Sequence, residues 1–139
     1  MDLIIHSYLF KSLNYLAPSV SEVCVGDEIY INYQIKNFSS SGTVPSNQIS
    51  VSFYITDYGA SSYSGGTALA SNVSFGAISP GQTLFSHDVT IPNNQNNTNN
   101  GVMYDIWGVI NYTDEDSNNN IYRDQGTLIY PSGHSFCND

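Results

Sequence analysis

The stretch Val25–Asn37, VGDEIYINYQIKN, decides the fold. It opens on Gly-Asp, a pair that is typical of turns. It then alternates, so that Ile29, Ile31, Tyr33 and Ile35 fall on one face and polar side chains fall mainly on the other. This period of two predicts a half-buried β-strand, because a helix would not place these four side chains on one stripe. We therefore expect a central strand of a β-sandwich.

The rest of the sequence repeats the pattern in short runs separated by clusters of Gly, Pro, Asn and Ser. Such spacing is typical of an all-β sandwich or barrel. Residues 9–21 form either a long link or a second part of the first strand. The predicted strands are Leu3–Tyr8, Glu28–Lys36, Gln48–Thr56, Thr83–Ile91, Val102–Tyr112 and Ile121–Tyr130, with weaker edge material at Thr67–Phe75.

The charge balance excludes some classes of partner. The sequence has 3 Lys and Arg against 12 Asp and Glu, a net charge of -9. Nucleic acids and anionic membrane surfaces need a cationic face, so neither is expected as a partner. No apolar run reaches membrane-spanning length, so membrane insertion is not expected either. A surface that is polar, rich in Tyr and poor in Lys and Glu favours an extracellular protein.

The two cysteines, Cys24 and Cys137, lie far apart and match no metal-binding spacing. Either they pair with each other or they are two buried thiols. The first ten residues lack a basic region and a cleavage-like site, so they do not predict a signal peptide. If the protein is secreted, we expect either that a leader has been removed or that the sequence is an excised piece of a longer protein.

Four features then follow one another in the sequence. They are Asp2-Leu3, VGDEIYINYQIKN, SPGQTLFSHDVTIP at 79–92 and YDIWGVINYTDEDSNNN at 104–120. Their order and spacing resemble the cell-adhesion-related domain found in bacteria, the CARDB family, over about Asp2 to Tyr130. The resemblance implies an antiparallel β-sandwich of about seven strands, similar to immunoglobulin and fibronectin type III domains. We accordingly expect a CARDB-like domain at 1–131 and a C-terminal tail at 132–139.

The resemblance also implies a location and a role. The family is found in secreted and cell-surface proteins, where it is adhesive or scaffolding and brings no catalytic residues. Its topology places Cys24 and Cys137 at the same pole of the sandwich, which predicts a disulfide between them. Two departures from the family are the length of the segments at 9–21 and 57–66 and the tail that contains Cys137.

An acidic, Asn-rich loop is the sharpest local signal. Calcium takes six to eight oxygen ligands, and carboxylates and amides at alternate positions supply them from one turn. The loop lacks the glycine and the closing glutamate of an EF-hand, and the alternative is an Asx-rich hairpin loop that caps its own backbone. The predicted calcium ligands are Asp114, Asp116, Asn118, Asn120 and Asp124.

Four Asn-x-Ser/Thr sequences are candidate glycosylation acceptors, at Asn37, Asn72, Asn96 and Asn111. Several would arise by chance in a sequence with so much Asn and Ser. The loop that holds Asn96 is expected to be exposed, which makes Asn96 the best candidate of the four.

Enzyme motifs are missing from the sequence: neither HExxH nor GxSxG occurs. We therefore expect no enzyme. Trp107 and the many tyrosines suggest an alternative, a carbohydrate-binding module that stacks sugars on exposed rings. This alternative needs Trp107 and Tyr30 to be exposed. Otherwise Trp107 packs beneath a loop or a neighbouring subunit.

The sequence thus predicts a non-enzymatic, extracellular or cell-surface module that mediates adhesion or assembly. Its expected partners are another protein or copies of itself, with glycans as the alternative. The apolar segment Met1–Phe10 is strand-like, and its donation to the next copy would build a filament. No cofactor is firmly implied, and calcium is the one candidate.

Overall fold

The described part of the protein is made of strands, turns and loops. The computed structural model describes residues 5–14, 22–37, 50–74, 77, 79, 81–111 and 121–137. Two 3₁₀ turns occur within these ranges, at Tyr63–Gly65 and Ser135–Cys137. The strands are β1 (Ile5–Asn14), β2 (Glu22–Cys24), β3 (Glu28–Asn37), β4 (Ser50–Asp57), β5 (Thr67–Ser74), β6 (Gly81–Thr90), β7 (Val102–Asn111) and β8 (Ile121–Tyr130).

The strands form two sheets. The first has the order β1-β3-β6, and the second has the order β2-β8-β7-β4-β5. All pairings are antiparallel except that of β2 with β8, which is parallel. The residues before β3 therefore contribute one strand to each sheet. This architecture confirms the predicted all-β sandwich.

The core lies between the two sheets and follows the alternation in the sequence. Ile29 and Ile31 of β3 are fully buried, and so is Phe53 of β4 in the other sheet. Alternate residues share a face of a strand, so each sheet turns one row of apolar side chains inward. The core comprises Val23, Val25, Ile29, Ile31, Val51, Phe53, Ile55, Val89, Ile91, Tyr104, Ile106, Ile110 and Ile129.

Two strands differ from the predictions. β1 continues to Asn14, so the first part of residues 9–21 extends the edge strand. β2 was not predicted, because three residues are too short to show an alternation. With β2, the described sandwich has eight strands and one parallel pairing, whereas about seven antiparallel strands were predicted. The acidic loop at 113–120 lies outside the described residues.

β7 is buried on both of its faces from Tyr104 to Ile110. One face belongs to the core. On the other, Asp105 and Trp107 are covered by the segment that joins β4 to β5. The outer side of the five-stranded sheet is therefore where the fold departs from a plain sandwich.

No helix in the described ranges is long and apolar enough to cross a membrane.

Candidate binding surface at the disulfide pole

One pole of the sandwich gathers four connecting segments: 25–27, 57–66, 92–101 and 131–137. β3 begins there, β4, β6 and β8 end there, and β7 begins there. Backbone hydrogen bonds tie the segments together, from Val25 N to Tyr130 O at 3.0 Å and from Gly26 N to Ile91 O at 2.8 Å. Gly26 has φ +85°, a backbone conformation that residues with a side chain rarely adopt. The Gly-Asp turn of the deciding stretch thus anchors this pole.

A disulfide joins Cys24 to Cys137 at this pole, with the two Cα atoms 5.9 Å apart and a sequence separation of 113. It connects β2 to the second 3₁₀ turn. This is the pairing that the family topology implied. Within the tail, His134 N donates to Pro131 O and Cys137 N donates to His134 O. Residues 131–137 therefore fold back on the pole, whereas the predicted domain boundary after residue 131 stays a prediction.

A buried carboxylate holds the segment 57–66 on the outer side of the five-stranded sheet. Asp105 is fully buried, and it accepts hydrogen bonds from Gly59 N at 2.9 Å and from Gly126 N at 3.1 Å. Arg123 lies 3.8 Å from the same carboxylate and donates to Ala60 O at 2.6 Å. Buried carboxylates require such partners. The loop is therefore pinned by charge-assisted bonds.

Trp107 lies beneath this loop and is 7% exposed. Its Nε1 donates to Thr56 Oγ1 at 2.8 Å, the Arg123 guanidinium lies 4.8 Å from the ring centroid, and the Tyr63 ring lies 6.1 Å away. The prediction that Trp107 offers an exposed sugar platform is wrong, because the loop occupies its face. The alternative expectation, that Trp107 packs beneath a loop, is confirmed. The side chain of Tyr30 is outside the described residues.

The loop at 92–101 is built around Asn96, which is only 4% exposed. Its Nδ2 donates to the carbonyls of Asn100 and Ile129, both at 2.8 Å. Its Oδ1 accepts from Thr98 N at 2.9 Å. The expectation that Asn96 is exposed is therefore wrong, because its amide is a buried structural group, whereas its glycosylation stays a prediction.

The other predicted acceptors differ in their surroundings. Asn72 is exposed and has φ 53°. Asn111 is exposed, yet its Nδ2 donates to Ser50, Ser52 and Asn72. The side chain of Asn37, at the end of β3, is outside the described residues. Glycosylation at these three positions stays a prediction.

The predicted calcium ligands fall mostly where the structure gives no description. Asp114, Asp116, Asn118 and Asn120 lie outside the described residues, and of Asp124 only the strand position is described, opposite Ile106. Within the described ranges, no three His, Cys, Asp or Glu side chains are grouped as metal ligands. The calcium site stays a prediction.

Five apolar side chains at the disulfide pole form a continuous surface, which we call the apolar strip: Tyr58, Met103, Leu128, Tyr130 and Phe136. Phe136 packs against Tyr130 at 4.6 Å between ring centroids. Leu128 lies on the same side of β8 as Tyr130 and directly opposite Met103 of β7. Met103 and Tyr58 both border the Gly126 bulge. The strip thus runs from the tail to the segment 57–66.

The strip is accessible and bordered by acidic groups. Tyr58, Phe136 and Met103 are 58%, 46% and 41% exposed. Glu22, opposite Leu128, and Asp57, next to Tyr58, are exposed carboxylates beside it. Arg123 is the single Lys or Arg in the strands of this sheet, and it is engaged with Asp105, Ala60 and Trp107. The surface is therefore apolar with a negative border.

A polar cleft of about 190 Å³ adjoins the Asp57 end of the strip. It lies between the end of β4, the segment 57–66, the start of β5 and Gln95. Its side-chain polar groups include the carboxylate of Asp57 and the hydroxyls of Ser62 and Thr67. Such a lining suits a small cationic or hydrogen-bonding group.

Tyr104 lies near this cleft and is 6% exposed, and its hydroxyl donates to Gln95 O at 2.8 Å. Burial, and secondarily the negative charge of Asp57, raise the pKa of Tyr104 above its ordinary value of 10.0. The folded protein therefore holds this proton more tightly than the unfolded protein does.

We expect Tyr104 to make the free energy of unfolding fall at alkaline pH. Because the pKa of Tyr104 is higher in the folded protein than in the unfolded protein, its contribution to stability is fully present at a pH below the unfolded pKa. This contribution is lost as the pH rises through the folded pKa, because the unfolded protein releases the proton more readily. Urea unfolding at about pH 8 and about pH 11 measures this loss. Tyr104→Phe should show a smaller loss than the natural protein. An equal loss in both would contradict the assignment, since the other tyrosines are common to the two.

Comparison with known proteins finds likeness in structure and none in sequence. No protein-family profile matches the sequence, and no curated protein matches it either. The CARDB domain of a Pyrococcus furiosus protein, solved in complex with di-metal ions, superposes with a TM-score of 0.52 at 13% identity. The match covers 94% of this chain and 96% of that domain.

A second likeness is to one part of a larger enzyme. A β-glucosidase from Listeria innocua, in complex with glucose, matches with a TM-score of 0.55 at 14% identity over 95% of this chain. The match spans only 16% of that enzyme, so it concerns a small portion of it. The match to the archaeal domain covers nearly the whole of both molecules. The protein therefore has the immunoglobulin-like β-sandwich fold of the CARDB domain.

Proposed function

We propose that this chain is a non-enzymatic module of a secreted or cell-surface protein, and that it acts in adhesion or assembly by binding another protein. The observation that carries the proposal is the apolar strip, an exposed surface held on a rigid pole. Apolar patches rimmed by polar groups are typical of protein contacts. The disulfide supports an oxidising location outside the cytosol.

The charges around the strip favour a cationic partner. Glu22 and Asp57 lie beside it, the protein has a net charge of -9, and Arg123 is engaged with Asp105. A second copy would bring like charges together, which costs free energy. A partner with apolar side chains flanked by Lys or Arg would instead bury the strip and place a cationic group beside Asp57 in the cleft.

The test uses two synthetic peptides, one that alternates Lys with Trp and Val, and the same peptide with Glu in place of Lys. Amide chemical shifts of the labelled protein report binding. We expect the Lys peptide to shift residues of the strip, and added salt to weaken its binding because the charges are exposed. Tyr58→Ser with Met103→Ser should weaken binding about tenfold or more, since a few central apolar contacts dominate such interfaces.

The matched control is Ile121→Ser, which removes a side chain that is 40% exposed on the same sheet but far from the pole. It should leave binding unchanged. Equal binding of the Glu peptide, or no effect of the double substitution, would contradict a cationic partner. Sedimentation of the protein alone tests the alternative that a second copy binds the strip. A dimer that the double substitution abolishes would show that this alternative is correct.

Filament formation by strand exchange is a finer version of this proposal. β1 pairs with β3 of its own molecule from Ile5 onward. Donation of Met1–Phe10 would therefore require part of β1 to leave its sheet and join another copy. The same sedimentation experiment tests filament formation, because a protein that is monomeric at every concentration does not form filaments.

Calcium binding also remains within the proposal, on Asp114, Asp116, Asn118, Asn120 and Asp124. The di-metal ions belong to the archaeal CARDB domain, and its likeness to this protein extends to the fold alone. Binding to the folded state raises the melting temperature. We expect a lower melting temperature in EDTA than in calcium, and equal values would remove the site.

A further inference from the structure

The loop at 92–101 contains the one Asn-Gly pair of the sequence, Asn100-Gly101. We propose that Asn100 is a site of spontaneous deamidation in the folded protein. The reaction converts the Asn100–Gly101 link mainly into an isoaspartyl link. This inference stands on the loop geometry and does not depend on the proposed function.

The reaction needs only the protein and water. The Gly101 nitrogen loses its proton and attacks Cγ of Asn100, forming a C–N bond and a succinimide ring. The bond between Cγ and Nδ2 of Asn100 breaks, and this nitrogen leaves as ammonia. Water then opens the ring at either carbonyl, giving an aspartyl or an isoaspartyl residue. No oxidation or reduction takes place, and each product gains one carboxylate.

The nucleophile is accessible. Within the described ranges, no hydrogen bond is donated by the Gly101 amide nitrogen. Gly101 has no Cβ to obstruct ring closure, which is why glycine is the most permissive residue at this position. Asn100 itself is exposed, so water reaches the succinimide and ammonia leaves freely.

The loop also activates the peptide bond that reacts. The carbonyl of Asn100 accepts a hydrogen bond from Asn96 Nδ2 at 2.8 Å. Thr98 Oγ1 also lies 2.8 Å from this carbonyl, and its single proton is shared between the carbonyl and Asn96 Oδ1 at 2.7 Å. Donation to a carbonyl draws electron density from its peptide and makes the attached N–H more acidic. The N–H in question is that of Gly101, the attacking group. The buried Asn96 amide therefore favours the first step.

The product would change the pole. In the isoaspartyl form the former Asn100 carbonyl becomes a free carboxylate, and the main chain gains one methylene. Asn96 Nδ2 then faces a displaced, charged acceptor. A Cβ placed on Gly101 would lie 2.9 Å from Tyr130 Cε1 and 3.1 Å from Leu128 Cδ1. Gly101, which follows the lengthened link, therefore lies against two members of the apolar strip, and the new negative charge is on the residue next to it.

The test is incubation of the intact protein at mildly alkaline pH, followed by cleavage before aspartate. This releases the peptide Asp88–Tyr104, which contains Asn100 and five other asparagines as internal references. Mass spectrometry locates the gain that accompanies replacement of NH₂ by OH, and electron-transfer fragmentation separates isoaspartate from aspartate. We expect the mass increase to appear at Asn100 several-fold faster than at the other five asparagines. At Asn100 it should be at least as fast in the folded protein as in guanidinium chloride.

Two variants sharpen the test. Asn100→Gln keeps the backbone carbonyl and its hydrogen bonds, and it should abolish the reaction because a six-membered ring closes far more slowly. Thr98→Val removes, at nearly constant shape, the hydroxyl that donates to the carbonyl and accepts from Asn100 N at 3.3 Å, and it should slow the reaction. Reaction only in guanidinium chloride, an even spread over the six asparagines, or a faster reaction in Thr98→Val would overturn the proposal.

Discussion

Replacement of Cys24 and Cys137 by serine is expected to lower the free energy of unfolding by about 4 to 5 kcal/mol. The bond closes a loop with a sequence separation of 113, and closing so long a loop removes much conformational entropy from the unfolded protein. This is a large share of the stability of a small domain. Urea unfolding, followed by the fluorescence of the single tryptophan, Trp107, measures the loss.

The control for this prediction is reduction of the natural protein. Dithiothreitol should lower its stability to that of the double serine variant and should leave the variant unchanged. If the variant is as stable as the oxidised protein, the bond does not contribute in the way that the loop length implies. If the reduced protein is more stable than the variant, the substitutions themselves are damaging.

Replacement of Asp105 by alanine should cost about 3 kcal/mol, because it leaves buried donors without an acceptor. These donors are the N–H groups of Gly59 and Gly126, and Arg123 loses its counter-ion as well. The segment 57–66 should then detach from the sheet. Trp107 lies beneath it, so its emission should shift to longer wavelength in the folded variant.

The matched control for Asp105 is Asp88→Ala, which removes an exposed carboxylate from β6. It should change the stability by no more than about 0.5 kcal/mol and leave the Trp107 emission unchanged. Equal costs for the two substitutions would mean that net charge, rather than the buried bonds, determines the effect. An unshifted emission in Asp105→Ala would show that the loop is held by other contacts.

The strands and the core could be predicted from the sequence because they depend on local order. Ile29 and Ile31 of β3, and Val51, Phe53 and Ile55 of β4, alternate in the sequence and are buried in the structure. The alternation follows from the geometry of a strand, in which successive side chains point to opposite faces. A three-residue strand such as β2 leaves no such pattern, and its parallel pairing with β8 depends on residues about a hundred positions away.

The candidate surface could not be predicted in the same way. The sequence left open whether Trp107 is exposed or packs beneath a loop, and it did not reveal that the segment 57–66 covers the ring. Asn96 was expected to be exposed because it stands in a polar, Asn-rich loop, whereas its amide bonds to the carbonyl of Ile129. Each case rests on a contact between segments that are distant in sequence.

The sequence by itself determined the fold class, the net negative charge and the longer strands, because alternation and composition act locally. Only the tertiary structure decided which side chains meet at the disulfide pole. The apolar strip joins residues of the 57–66 loop, β7, β8 and the tail, and nothing in the sequence marks them as one surface. The physical reason is that their proximity is set by the pairing of the strands and the path of the loops.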